Sequence, residues 1–259
     1  MLTAYDYPSA KIAERAGVPI LLVGDSLGQV VLGHGSTLPV SVDDMVRHSA
    51  AVVRATERAL IVGDMPFLSY PDEATAIRTA GRLMQEAGVQ AVKLEGGGSV
   101  AGVVAALVRL GIPVVGHLGF TPQSSFQIGV RVQAKTAEAA RQLIVDAEAL
   151  QRAGAFLLVL ELVPAELAAE IARRLAIPVI GIGAGVGTDG QVQVWHDVLG
   201  LFEEQPPRHA RRFAEIGAAM QQALEGYVGE VKAGSFPTGA QASSIKPEVL
   251  AEATGGDAA

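Results

Sequence analysis

The chain has 259 residues, a formal net charge of -7 and no cysteine; 49% of it is hydrophobic, yet only 5% is aromatic. The lack of thiols excludes disulfides, thiolate catalysis and Cys-ligated zinc or iron, and the acidic balance speaks against nucleic acid or an anionic membrane as partner. No apolar run reaches the roughly 18 residues of a spanning helix, so a cytoplasmic protein with a core of Ala, Val, Leu and Ile is expected.

From the N-terminus, strands are expected near Leu2–Tyr5, Ile20–Val23, Leu60–Gly63, Ala91–Glu95, Val114–His117, Phe156–Glu161 and Val179–Gly183, with a weaker eighth near Val198–Leu201. Helices are expected near Ser9–Ala16, Val42–Ala55, Asp72–Ala87, Ser99–Arg109, Ala137–Ala153, Ala165–Leu175 and Arg211–Lys232. Four junctions repeat one plan: a helix, a small-residue stop such as Ala16-Gly17-Val18-Pro19 or Leu110-Gly111-Ile112-Pro113, then a β-branched run ending in a polar residue. Glycine just past a helix and proline soon after are stop signals. About eight such units over roughly 250 residues favour a single-domain (β/α)8 TIM barrel over an open doubly wound sheet. The barrel is expected over residues 1–237, with a loosely ordered tail over 238–259 that is rich in Ala, Gly, Ser and Thr. Two connections are long, Gly24 to Ser41 and Leu118 to Thr136, and long loops at that end of a barrel often form lids or binding loops.

The stretch Val89–Gly98 places Lys93 and Glu95 on one face of a strand and Val92 and Leu94 on the other. Buried ions need partners, so a polar centre is expected beside them. Asp25, Asp64, Lys93, Glu95, His117 and Glu161 all fall at or just beyond strand C-termini, which ring one mouth of a barrel. Singly, each has an ordinary explanation: an aspartate cap, a core histidine, a structural ion pair. Together they read as a site. Carboxylates without cysteine make a hard-oxygen site suited to Mg2+, with Asp25, Asp64 and Glu95 as candidate ligands, direct or through water. Lys93 would hold an anionic group of the substrate, and Glu161, flanked by leucines, suits a general base. The sum is proton abstraction beside a carbonyl. Gly181–Gly185, GIGAG, reads as a tight turn rather than a phosphate cradle, and the arginines at 208, 211 and 212 as a solvated helix start.

The stretches TAYDYPSA, LLVGDSLG, GHGSTLPV, GDMPFLSY, AVKLEGG, GHLGFTPQS, VLELVPAEL, IPVIGIGAG and DGQVQVWHD, running from Thr3 to about Asp197, resemble the ketopantoate hydroxymethyltransferase family. The resemblance implies a (β/α)8 barrel that moves a hydroxymethyl group from 5,10-methylenetetrahydrofolate to 3-methyl-2-oxobutanoate, giving 2-dehydropantoate in pantothenate biosynthesis. It implies Asp25 and Asp64 as metal ligands bordering the keto acid, Glu95 as the remaining metal-associated carboxylate, Ser26 and Lys93 as keto-acid contacts, His117 as a further site residue and Glu161 as the proton acceptor. It also implies a homo-oligomer, commonly a decamer. Against the family pattern, a truncation at the N-terminus is expected, the loop SSFQIGVRVQAK is shorter and poorer in glycine, and the tail after Pro237 is longer. Two other readings compete: a catalytically impaired barrel of the same family, and a Mg-dependent 2-oxo-acid lyase or mutase, many of whose lyases use a cysteine that this chain lacks.

Overall fold

In the computed structural model, which describes residues 1–202 and 207–256, eight parallel strands follow one another around a sheet in sequence order, β1 to β8. They are β1 (Leu2–Thr3), β2 (Ile20–Val23), β3 (Leu60–Asp64), β4 (Ala91–Glu95), β5 (Val114–Gly119), β6 (Leu157–Glu161), β7 (Val179–Ile182) and β8 (Gly190–Gln191). A parallel bridge between Leu2 and Gln193 joins the two edges, with the Thr3 amide donating to the Gln193 carbonyl at 3.1 Å. The expected barrel is present.

Helices between the strands cover the sheet: α1 (Tyr7–Arg15), the short α2 (Leu27–Val30), α3 (Val42–Ala55), α4 (Glu73–Gln85), α5 (Ala101–Arg109), the short α6 (Ser125–Ile128), α7 (Ala137–Arg152), α8 (Ala165–Arg174) and α9 (Trp195–Leu199). Their starts are written in the sequence. Asp6 and Ser41 close reciprocal capping boxes with Ser9 and Asp44, and the Asp72 and Thr136 side chains each accept one first-turn amide. The longer helices then lay an apolar stripe on the strands; in α3 the buried positions are Met45, Ser49, Val52 and Ala55, spaced three or four apart.

The strands bury both faces, and the faces differ. Leu21, Ile61, Val92, Leu94, Val114, Leu158 and Leu160 pack outward beneath the helices, while Leu22, Val62, Ala91, Val115, Leu157, Val159, Ile180 and Ile182 form a separate cluster inside the barrel. Alternation continues this inner face upward into polar residues: Val62 to Asp64, Ala91 to Lys93 and Glu95, Val115 to His117, Val159 to Glu161. The barrel therefore has an apolar floor and an ionic mouth.

The weak eighth strand is misplaced by sequence reasoning. Val198 and Leu199 close α9, which ends on Gly200 in the left-handed region, and the eighth strand is instead the two residues Gly190–Gln191, paired to Ile180 and Gly181. A short apolar run cannot by itself separate strand from helix, and Gly-Gln carries no strand signature. The last long helix is α10 (Ile216–Ala233), so Arg211 and Arg212 precede it. The chain divides into two compact units, Met1–Phe213, which holds all eight strands, and Ala214–Ala259. Residues 214–237, grouped with the barrel by sequence, thus fall in the second unit. That unit contains α10 and a further helix, α11 (Pro247–Ala253), in the stretch expected to be loosely ordered. No helix among the described residues is long and apolar enough to cross a membrane.

Candidate active site

All seven residues singled out from the sequence line one cavity of about 420 Å3 at the C-terminal mouth of the barrel: Asp25, Ser26, Asp64, Lys93, Glu95, His117 and Glu161. That volume lies in the usual range for small-molecule sites, roughly 300–1,000 Å3. Strand register brings them together, pairing Asp64 with Lys93 and Glu95 with His117 across neighbouring strands. Both long connections also reach the cavity. Ser26, Gln29, Ser36 and Thr37 come from the first, and Phe120, Pro122, Ser125 and Val130 from the second.

The ionic cluster is almost dry. Asp25, Asp64, Lys93, Glu95 and His117 are each no more than 5% exposed. Lys93 Nζ stands 2.7 Å from Asp64 Oδ1 and 3.2 Å from His117 Nδ1. His117 bridges two acids, with Nδ1 3.3 Å from Glu95 Oε1 and Nε2 3.3 Å from Glu161 Oε2. The Asp25 amide donates to Asp64 Oδ2 at 3.0 Å. Glu161, half-buried on the cavity side, has His117 as its ion contact.

Burial opposes the charge on Lys93, but Asp64, Glu95 and Asp25 outweigh it and hold its pKa above the ordinary lysine value. Burial and the Lys93 ammonium likewise oppose protonation of His117; contacts with Glu161 and Glu95 prevail and raise its pKa to about 9. Burial also works against the Glu95 carboxylate, yet His117 and Lys93 keep its pKa below the usual glutamate value. Asp25 goes the other way. Burial, then the charges of Asp64 and Glu95, push it well above the usual carboxylate range.

Asp25 is the acid whose charge is left over. Asp64 faces Lys93 and Glu95 faces His117, but the side chain that hydrogen-bonds Asp25 is a neutral amide, Gln123 Nε2, at 2.8 Å. A buried carboxylate without a cation is costly, and the donors around it are hard oxygens, so the chemistry of the set fits a divalent cation at Asp25 and Asp64. Among the described residues no three His, Cys, Asp or Glu side chains already enclose an ion position. Glu95 Oε2 accepts from the Gln123 amide at 3.0 Å, so a contact of Glu95 with the ion would run through Oε1 or a water. A cation there would take two protein carboxylates and complete its shell from water and substrate, the usual habit of Mg2+.

Sequence reasoning did not single out three polar residues of this site. Tyr5, fully buried, shares a 2.8 Å hydrogen bond with the Ser26 hydroxyl. Tyr70 donates to Gln123 Oε1 at 2.5 Å. Gln123 itself sits inside the TPQS motif just past β5, where a polar side chain amid apolar neighbours was the available signal.

A family model described as ketopantoate hydroxymethyltransferase matches residues 1–239. The chain belongs to the ketopantoate hydroxymethyltransferase family. Among its relatives, the 3-methyl-2-oxobutanoate hydroxymethyltransferase of Gluconacetobacter diazotrophicus is 65% identical, covering 98% of this chain and 92% of the relative. The protein of the same name from Chloroflexus aggregans is 59% identical over 98% of this chain and 91% of its own length. Solved structures give the fold at lower identity: 2,3-dimethylmalate lyase, a PEP mutase/isocitrate lyase superfamily member, matches at 18% identity with TM-score 0.57 over 97% of this chain and 87% of the other. Phosphonopyruvate hydrolase matches at 12% identity with TM-score 0.61, over 98% and 89%. The architecture is thus a barrel that other chemistries share, and the family is set by sequence.

Proposed function

We propose that this enzyme transfers a hydroxymethyl group from 5,10-methylenetetrahydrofolate to 3-methyl-2-oxobutanoate, giving 2-dehydropantoate and tetrahydrofolate in pantothenate biosynthesis. Family membership and the names of relatives at 52–65% identity support the reading. The geometric observation that carries it is the placing of Glu161, a cavity-facing carboxylate on His117, at the same mouth as Lys93 and the Asp25–Asp64 pair.

Lys93 holds the carboxylate of the keto acid; its ammonium stays charged because three carboxylates surround it. The Ser26 hydroxyl, turned by Tyr5, hydrogen-bonds the same substrate. A divalent cation such as Mg2+, held by Asp25 and Asp64 with Glu95 behind them, supplies Lewis-acid polarisation of the keto group when bound. Glu161 accepts the proton from C3, and His117, within reach of its Oε2, orients the carboxylate and balances its charge. Glu95 is a poorer base because His117 and the Gln123 amide already occupy its oxygens. C3 then forms a bond to the one-carbon unit, the carbon–nitrogen bond to the folate breaks, and water supplies the hydroxyl oxygen. The apolar rim of Phe120, Val130, Leu162 and Val194 offers the folate ring a surface.

The test is exchange of the C3 proton in deuterated water. Glu161→Gln is expected to bind keto acid yet lose the exchange by at least a hundredfold; undiminished exchange would remove Glu161 from the role. The same reading takes the keto acid and folate as partners, places the enzyme in the cytoplasm and expects a homo-oligomer, decameric in the family pattern, which sedimentation would measure.

A further inference from the structure

Gln123 has no counterpart among the charged residues of the site, yet it touches more of them than any ordinary loop residue would. Its Nε2 donates to Asp25 Oδ2 at 2.8 Å and to the Met65 carbonyl at 3.0 Å. Its Oε1 accepts from the Tyr70 hydroxyl at 2.5 Å, and its backbone amide donates to Glu95 Oε2 at 3.0 Å. The Tyr70 hydroxyl in turn accepts from the Glu95 amide at 3.3 Å. Both amide hydrogens and the amide oxygen are therefore used, and the residue is 6% exposed.

We propose that Gln123 is a positioning residue that presets the divalent-cation site by fixing the Asp25 and Glu95 carboxylates with neutral donors. The neutrality is the point. A lysine or arginine in its place would hold Asp25 equally well but would supply the positive charge that the cation is to bring, and would compete with it. A glutamate would lack the donors, and an asparagine is one methylene too short to reach Asp25 from the same backbone position. With Oδ2 of Asp25 taken by the amide, Oδ1 is left for a cation, and a side chain already fixed loses less conformational freedom when the cation arrives.

This inference rests on the cation reading above, and Mn2+ serves as the probe because its binding is read by electron paramagnetic resonance without turnover. In Gln123→Met, of similar length but without polar atoms, Mn2+ affinity in the presence of 3-methyl-2-oxobutanoate is expected to fall at least tenfold, and the metal concentration for half-activation to rise in step while the folate KM stays within twofold. A merely structural role would lower the melting temperature without that split. Gln123→Asn, which keeps an amide but pulls it back, covers a methionine variant that does not fold and is expected to show a loss in the same direction. Tyr70→Phe removes the contact to Oε1 and the acceptor of the Glu95 amide but leaves the Gln123 donors to Asp25 and Glu95 in place, and is expected to cost less than either. Mn2+ binding equal to wild type in a folded Gln123 variant would overturn the positioning role alone. A wild-type enzyme that binds no Mn2+ with keto acid present would overturn the cation reading and this inference with it.

Discussion

Replacing Lys93 by methionine tests whether the ionic mouth is held together as described. The side chain is 3% exposed, pairs with Asp64 at 2.7 Å and lies among Asp25, Glu95 and His117. Methionine fills a similar volume, so the change removes charge rather than leaving a large void. Breaking one side of a buried ion pair costs about 3–5 kcal/mol, because the remaining charge is stranded without water. For a compact unit of 213 residues, at about 2–4 °C per kcal/mol, the melting temperature should fall by roughly 6–20 °C. Scanning calorimetry without added metal measures it. The decisive comparison is a double-mutant cycle with Asp64→Asn: if the two groups are a pair, the double variant is less destabilised than the sum of the singles, by about 1–3 kcal/mol. A single variant within about 2 °C of wild type, or a cycle that is additive, would refute the pairing and with it the account of Lys93 as the counter-charge of Asp64.

His117 should give the apo enzyme a pH-dependent stability. Its folded pKa is raised to about 9 from an ordinary 6.5, so its contribution is fully present below pH 6.5, falls as pH rises and is lost above about 9; for a group 4% exposed it amounts to about 3 kcal/mol. Denaturation midpoints from pH 6 to 10 should show that loss, and His117→Gln should flatten it. Gly119 has φ +91°, and a β-carbon there would lie 2.2 Å from the Glu161 carbonyl oxygen. Gly119→Ala should therefore displace the end of β6, costing about 1–3 kcal/mol from strained backbone and lowering turnover through Glu161, as thermal melts and kcat would show.

The barrel was legible because its signals are local and repeated: small-residue stops after helices, β-branched runs, and a polar residue where each run ends. Lys93 and Glu95 could be placed on one face from alternation alone, and the same period carries Asp64, His117 and Glu161 inward. The eighth strand was not legible, since Gly190 and Gln191 are strand residues only because β7 and the Gln193 bridge flank them. Nor were Tyr5, Tyr70 and Gln123. Their importance lies in contacts across long sequence separations, as between Gln123 and Asp25, 98 residues apart, and no spacing rule encodes such a pair.

Four of the acids that line the cavity, Asp25, Asp64, Glu95 and Glu161, separate by what each still requires. Asp64 is matched by Lys93, and Glu95 by His117 and the Gln123 amide, so these two complete the internal balance. Asp25 has a neutral amide, two like-charged neighbours and only a share of the Lys93 charge that Asp64 pairs directly, which leaves it short of a cation. Glu161 has only a share of His117 and faces the cavity, which leaves it free to take a proton. The two unfilled requirements differ in kind; Asp25 stands just past β2 and Glu161 at the end of β6, around one cavity. On the proposed reading a keto acid lies between them, its oxygens toward Asp25 and its C3 toward Glu161. A low-dielectric floor of valine, leucine and isoleucine beneath the cluster strengthens both attractions by keeping water from screening them. It follows that enlarging that floor, as in Val115→Ala, should weaken cation binding without touching any ligand, by admitting water beneath Lys93 and Glu95; Mn2+ titration of the variant would show it.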